Sequence, residues 1–215
     1  MEKELRLCDK KMAALLAERV ALVGSGEYDV REAQKNLALL NALAGGTKSI
    51  ALIGFMGAGK STVSRYLKRA LALVERDTDA MIVKQEGMSI TDLFDKYGEP
   101  YFRDLESKTV CSLEDMGQAV ISCGGGLVMR EENVANLKKS SRIVLLTATP
   151  HTTLERVKNS TERPILNGNM NVEYIAQLME KRREAYQKAA DITVATDHKD
   201  VAAICAELVQ KLAVG

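Results

Sequence analysis

The run Gly54-Phe55-Met56-Gly57-Ala58-Gly59-Lys60-Ser61 fills the pattern GxxxxGK(S/T), and the apolar segment Ser49-Ile50-Ala51-Leu52-Ile53 stands directly before it. A glycine-rich turn lets successive backbone N–H groups point at phosphate oxygens, Lys60 adds a cation, and Ser61 offers a hydroxyl to Mg²⁺. Strand, loop, Lys-Ser pair and following helix together predict a bound nucleoside triphosphate. The loop by itself does not say where a phosphate would go.

Other residues of suitable type recur downstream. Asp77-Thr78-Asp79 sets two carboxylates two residues apart. One suits Mg²⁺ through water, and the other suits a proton from a hydroxyl. A turn with a helix cap is the plainer use of the same pair. Gly124-Gly125-Gly126 has no side chain for chemistry, so its use is close backbone approach to a ligand, unusual torsions or a flexible connection. Arg163 precedes Pro164 in a polar stretch, 159–171, that reads as a mobile loop able to close an arginine over phosphates. Arg103 and Arg182 each sit in a helical pattern, where a solvated surface charge is the ordinary role.

These residues need elements that bring them together. Strands are expected at 50–54, 74–77, 119–122, 142–147 and 192–195. Helices are expected at 60–73, 80–86, 90–97, 100–116, 150–158, 172–189 and 201–212. Such alternation predicts an α/β fold with a parallel sheet covered by helices on both faces. Ligands of such sheets lie outside the carboxyl ends of the strands, where the Asp pair, the glycines and the Arg163 loop all fall. Before the sheet, Leu5, Met12, Leu15, Leu16 and Val20 recur at helical spacing and predict a helix ending at Gly24-Ser25-Gly26. Asp29 then caps a second helix carrying Leu37, Leu40 and Leu43, stopped by Gly45-Gly46. The expected organisation is a helical extension over 1–46 and a phosphate-loop domain over 47–215.

Composition narrows the partners. The chain has 215 residues, 46% hydrophobic and 27% charged, and a net charge of +1, with no basic stripe to suit nucleic acid or an anionic membrane surface. Cys8, Cys111, Cys123 and Cys205 lie far apart without a CxxC pair, which fits reduced thiols in the cytoplasm rather than zinc or disulfides. No stretch approaches a membrane span, and the N-terminus is too charged for a signal peptide.

Taken in order, the phosphate loop, Asp77-Thr78-Asp79, Gly98-Glu99-Pro100-Tyr101-Phe102-Arg103, Cys123-Gly124-Gly125-Gly126, Arg163-Pro164-Ile165-Leu166 and the Arg182 to Tyr186 segment resemble the shikimate kinase family over 48–213. The resemblance implies a five-stranded fold like that of the nucleoside monophosphate kinases, and transfer of the ATP γ-phosphate to the 3-hydroxyl of shikimate on the route to aromatic amino acids. It implies that Gly57, Ala58, Gly59, Lys60, Ser61 and Thr62 hold the ATP phosphates. Ser61, with Asp77 through water, would hold Mg²⁺, and Asp79 would face the substrate hydroxyl. Arg103 and Arg182 would hold the substrate carboxylate, with Glu106 orienting Arg103, and Gly124, Gly125 and Gly126 would pack on the substrate ring. Arg156 matches the adenine-stacking arginine, and Arg163 the one that descends with the lid. An alcohol acceptor has a proton to lose, which gives Asp79 a task that the acceptor of a nucleotide kinase lacks. A kinase for another carboxylated alcohol and a nucleotide-binding regulatory module stay open.

Two departures from the family pattern stand out. Glu75 and Arg76 occupy positions usually apolar, which brings the second strand into question, and Thr196-Asp197-His198-Lys199 leaves the adenine contacts open. The N-terminal run from Cys8 to Val20 resembles the first helix of the all-helical chorismate mutases. That family's first catalytic arginine would fall at Glu2, and its later helices have no room before Gly45, so no complete mutase site is implied. A truncated remnant, a self-association element, a regulatory hairpin contacting a pathway enzyme, and a chance amphipathic helix remain as readings of it.

Overall fold

Every residue of β1 (Ser49–Ile53) is buried, as a central strand covered on both faces must be. The structure, a computed structural model, describes residues 2–25, 29–46, 48–158 and 171–214. β1 is flanked by β3 (Ala119–Ser122) and β4 (Ser141–Thr147), with β2 (Val74–Asp77) and β5 (Ile192–Ala195) at the edges of a five-stranded parallel sheet. Alternate side chains of β1 feed two separate cores. Ile50 and Leu52 point to one face and Ala51 and Ile53 to the other, and β4 repeats this with Val144 and Leu146 against Ile143 and Leu145.

The first core lies beneath α3 (Lys60–Leu71), α9 (Val201–Val214) and the hairpin of α1 (Glu2–Ser25) and α2 (Val30–Leu43). Asp29 caps α2 by accepting hydrogen bonds from the backbone N–H groups of Arg31 and Glu32. The hairpin shares the sheet's hydrophobic core, since Ala13, Leu16, Val20 and Leu40 pack with Leu67, Leu208 and Leu212. Buried Asn36 ties it down by donating to the carbonyl of Ala70 at 3.2 Å and accepting from Arg19 at 2.9 Å. The apolar residues of α1 form two faces, with Leu16 and Val20 buried while Leu5, Met12 and Leu15 are exposed. The buried stripe is set by where α9 and α3 lie, and Ala13 and Ala17 complete it because small side chains allow close helix approach.

The second core lies beneath α5 (Ile90–Leu113), α6 (Glu131–Ser140) and α8 (Val172–Ala189). α5 is two helices joined at Gly98, whose φ of 78° and ψ of 169° only glycine adopts without strain. Helices separated between 97 and 100 match this, although the second ends at Leu113 rather than at 116. α6 and the 3₁₀ turn Leu127–Met129 before it were not expected from the sequence. α4 (Thr78–Glu86) and α7 (Pro150–Val157) complete the described helices. A third small core, Ile82, Leu93, Phe102 and Leu105, joins α4 to α5.

β2 forms despite Glu75 and Arg76. It is an edge strand whose positions stay partly exposed, so Glu75 accepts from the Ser64 hydroxyl at 2.6 Å and Arg76 donates to the carbonyl of Met116. Its register pairs Asp77 with Ser122, which sets the residues after β2 beside those after β3. Among the described residues no helix is long and apolar enough to cross a membrane, and all four cysteines are free.

Candidate active site

The phosphate loop bridges β1 and α3. Gly59 caps α3 with a left-handed backbone, and Lys60 turns its ammonium back to donate to the carbonyls of Gly54 at 2.8 Å and Phe55 at 3.1 Å. Ser61 and Thr62 lie exposed on the first turn of α3, whose positive dipole end and N–H groups favour anions. Ala58 is buried beneath them. On one side of this turn a cleft of about 440 Å³ is lined by Gly57, Gly59, Thr62, Arg156, Thr196 and Lys199. Arg156 is fixed there: one guanidinium nitrogen donates to Gly57 O at 3.0 Å and Thr196 Oγ1 at 2.9 Å, the other to Thr196 O at 3.0 Å. Three bonds to backbone and hydroxyl hold its plane at the mouth, which suits stacking on an aromatic base. Asp197 instead accepts from the backbone N–H and the hydroxyl of Thr149, the N-cap of α7, and Lys199 pairs with Glu207 at 2.6 Å.

On the other side lies a tighter cleft of about 160 Å³ bounded by Asp77, Asp79, Arg103, Glu106, Gly125, Gly126 and Arg182, with Ile90, Phe94 and Phe102 as its apolar wall. Lys60 and Ser61 line both clefts. Asp77 caps α4 by accepting from Ala80 N at 3.1 Å, so the plainer use of the pair is realised for Asp77, while Asp79 sits in the helix's first turn. Arg103 is clamped by two carboxylates, donating to Glu106 Oε2 at 2.6 Å and to Glu99 Oε1 at 2.6 and 3.1 Å. Glu106 is 1% exposed. Burial pushes its carboxyl above the usual range, Arg103 pulls the other way, and Asp79 adds to the rise. Its second oxygen, Oε1, is buried without a hydrogen-bond partner among the described residues. An acceptor in that state calls for a donor from a ligand.

The triple glycine closes this cleft through close approach. A Cβ at Gly124 would stand 2.3 Å from Asp79 Oδ1 and 3.0 Å from Glu106 Oε1, and one at Gly126 would stand 2.0 Å from Arg103 Nη1. Side chains there would expel the carboxylates and the guanidinium that the cleft presents. Gly125 has room, and its carbonyl accepts from Arg182 at 3.3 Å and from the Tyr186 hydroxyl at 2.5 Å. The Arg182 guanidinium also lies 5.8 Å from the centre of the Phe55 ring, within cation–π range.

Two residues of this cluster carried no role in the sequence reading. Thr78, fully buried between the aspartates, accepts from Gly124 N at 2.8 Å, and Tyr186 holds Gly125 from the far side. Burial pushes the Tyr186 phenol up to about 12, so it stays a donor. The contacts are to backbone, so no pairing of residue types announces them. Arg163 and the rest of 159–170 lie outside the described residues.

Among the described residues no group of three or more His, Cys, Asp or Glu is gathered as a metal site. The Ser61 hydroxyl and the Asp77 carboxylate line one cleft as hard oxygen donors beside the phosphate loop. So sparse a set fits Mg²⁺, which keeps most of its waters and takes its remaining ligands from bound phosphates.

Comparison with known proteins agrees with this geometry. The family model described as shikimate kinase matches residues 56–213. A shikimate kinase of Dehalococcoides mccartyi is 40% identical over 76% of this chain and 93% of its own, and one of Geobacter sulfurreducens is 39% identical over 75% and 88%. Among solved structures, the shikimate kinase of Acinetobacter baumannii in complex with shikimate superposes with a TM-score of 0.70 at 30% identity, covering 77% of this chain and 90% of that one. The shikimate kinase of Aquifex aeolicus gives 0.66 at 40% identity, covering 76% and 95%.

Proposed function

The chain belongs to the shikimate kinase family, and from that membership we propose that it transfers the γ-phosphoryl group of ATP to the 3-hydroxyl of shikimate, releasing ADP, as a step toward aromatic amino acids. The observation that carries this reading is the pair of clefts meeting at Lys60 and Ser61, a donor side open toward Arg156 and an acceptor side walled by Asp79, Glu106, Arg103 and Arg182. Carboxylates and guanidinium groups facing one small space suit a ligand with hydroxyls and one carboxylate. An acceptor that was itself a phosphate would meet Asp79 and the partnerless oxygen of Glu106 as like charges.

In this reading Arg103 and Arg182 hold the shikimate carboxylate, and the backbone of Gly124, Gly125 and Gly126 lies against the ring. Glu106 Oε1 accepts from a ring hydroxyl. The 3-hydroxyl oxygen attacks the γ-phosphorus in line with the bond to the β-bridging oxygen; its proton passes to Asp79 as the new P–O bond forms and the bond to ADP breaks. Gly57, Ala58, Gly59, Lys60, Ser61 and Thr62 hold the phosphates, Lys60 leaving its loop carbonyls to do so, and Arg156 stacks on adenine. Ser61 and, through water, Asp77 would hold Mg²⁺, which would supply charge neutralisation on the phosphates when bound. Arg163 balances charge on the transferring group, an assignment supported by its place in the family's motif. Positioning and electrostatics carry most of the rate.

We further propose that residues 1–46 extend a kinase domain spanning 47–215, and that the protein works in the cytoplasm. A coupled ADP-release assay with shikimate, other cyclic alcohols and nucleoside monophosphates tests the activity. Turnover with shikimate alone is expected, and turnover of a nucleotide without shikimate would reject the reading.

A further inference from the structure

The side of α1 turned away from the core carries a second apolar stripe. Leu5 is 59% exposed, Met12 40%, Leu15 55% and Leu22 73%, and exposed Cys8 lies between the first two. No other described element exposes as many large apolar side chains. Their spacing alternates three and four residues, so Leu5, Cys8, Met12, Leu15, Arg19 and Leu22 occupy the a and d positions of a heptad seam. Arg19 interrupts the seam only in name, because its guanidinium is drawn off to Glu32 at 2.7 Å and to Asn36. Leu5 to Leu22 spans roughly 25 Å of helix.

The flanking residues say what covers such a seam. On the e side the helix faces its own core through buried Leu16. A covering helix therefore leans to the g side, where Lys11 and Glu18 stand one heptad apart, exposed and without an ion pair among the described residues. Laid antiparallel so that Met12 meets Leu15 of a second copy and Leu5 meets Leu22, α1 brings Lys11 opposite Glu18 of that copy, and Glu18 opposite its Lys11. The surface complements itself in shape and charge, as a two-fold interface requires. A patch of this length would otherwise be an aggregation liability.

We propose that the protein forms a two-fold dimer through α1, an antiparallel helix pair in this register, independently of how the active site is read. Sedimentation velocity on the full chain across a concentration series tests it. Wild type is expected to dimerise reversibly. Leu15→Glu, which sets two carboxylates inside the seam, is expected to raise the dissociation constant at least about 100-fold. Lys11→Glu and Glu18→Lys are each expected to raise it about tenfold at low salt, since each turns two attractions into two repulsions. The double variant Lys11→Glu/Glu18→Lys restores the wild-type constant, because both pairs are re-formed with signs exchanged. Circular dichroism and kinase turnover, unchanged in all four variants, establish that the exposed substitutions leave the fold intact. A wild type that stays monomeric at every concentration overturns the proposal. So does a dimer indifferent to Leu15→Glu, a double variant no better than the singles, or a monomer whose seam is filled by a different protein.

Discussion

The two clefts that meet at Lys60 are built on opposite plans. On the acceptor side the ionic groups are held before any ligand arrives: Arg103 lies between Glu99 and Glu106, and Gly124 and Gly126 leave no slack around Asp79 and Arg103. On the donor side Arg156 is fixed at the mouth, but the groups that meet the phosphates are not: Ser61 and Thr62 stand in solvent, and Lys60 rests on carbonyls of its own loop, bonds that a triphosphate can replace. The contrast follows from the ligands. A triphosphate brings its own charge and can organise a flexible loop, whereas a small alcohol brings little binding energy, so its pocket must be preorganised. Damage to the acceptor wall should therefore fall on one substrate and spare the other.

Asp79→Asn is the most severe test of that division. The amide keeps the shape but cannot take the proton, so kcat should fall by about 10²- to 10⁴-fold while ATP affinity holds. Steady-state turnover beside equilibrium binding of ATP measures both, and an equal loss in the two would dissolve the distinction between the clefts. Gly126→Ala ranks next. The new methyl would overlap the Arg103 guanidinium, and the KM for shikimate should rise about 10- to 100-fold with the KM for ATP within about twofold. Titrating each substrate at saturation of the other separates them.

The donor side was the more legible in sequence, for a physical reason. A phosphate loop binds through a contiguous backbone turn, so one short motif carries it. The acceptor wall is drawn from four separate places, the first turn of α4, α5, the glycine loop and α8; their place after strands linked the Asp pair to the glycines, and only the ordered family pattern added Arg103, Glu106 and Arg182. Strand order along the chain could be read because each strand is a short apolar run, apart from β2, whose edge position makes Glu75 and Arg76 acceptable. α6 escaped because only Val134 and Leu137 mark its inner face, alongside a buried Asn133 whose amide donates to the carbonyl of Leu127. On α1 the composition offered apolar residues on two sides, and only packing against α9 and α3 decides which is inner. Arg163, legible as a motif, falls outside the described residues.

Thr78 sharpens the comparison with a smaller effect, because its hydroxyl meets the acceptor wall at the backbone N–H of Gly124 rather than at a charged group. Thr78→Val keeps the volume and removes the acceptor, leaving a buried N–H without its bond at a cost of about 1–3 kcal/mol. The KM for shikimate should rise about tenfold, ATP binding should hold, and Thr78→Ser should recover most of the loss. A fall in thermal stability with both KM values unchanged would make Thr78 a fold residue rather than a positioning one.

The smallest effect is on stability, and it comes from Glu106. Its pKa in the fold is raised, chiefly by burial, so the native state holds this proton to a higher pH than the unfolded chain does. Where the native state binds more protons, stability falls as pH rises. The contribution of Glu106 is therefore complete below the ordinary glutamate pKa and is lost as pH climbs through the raised value. Carboxylates held below the ordinary range, such as Glu32 and Glu207, slope stability the other way, so the Glu106 contribution is read as a difference between two proteins. Glu106→Gln cannot titrate, and denaturant unfolding across the mildly acidic range should show its stability gaining on wild type as pH rises, whatever the substitution does to the absolute stability through Arg103. A slope unchanged by Glu106→Gln would mean that Arg103 outweighs burial and keeps the carboxylate ionised, and preorganisation on the acceptor side would then rest on a full ion pair.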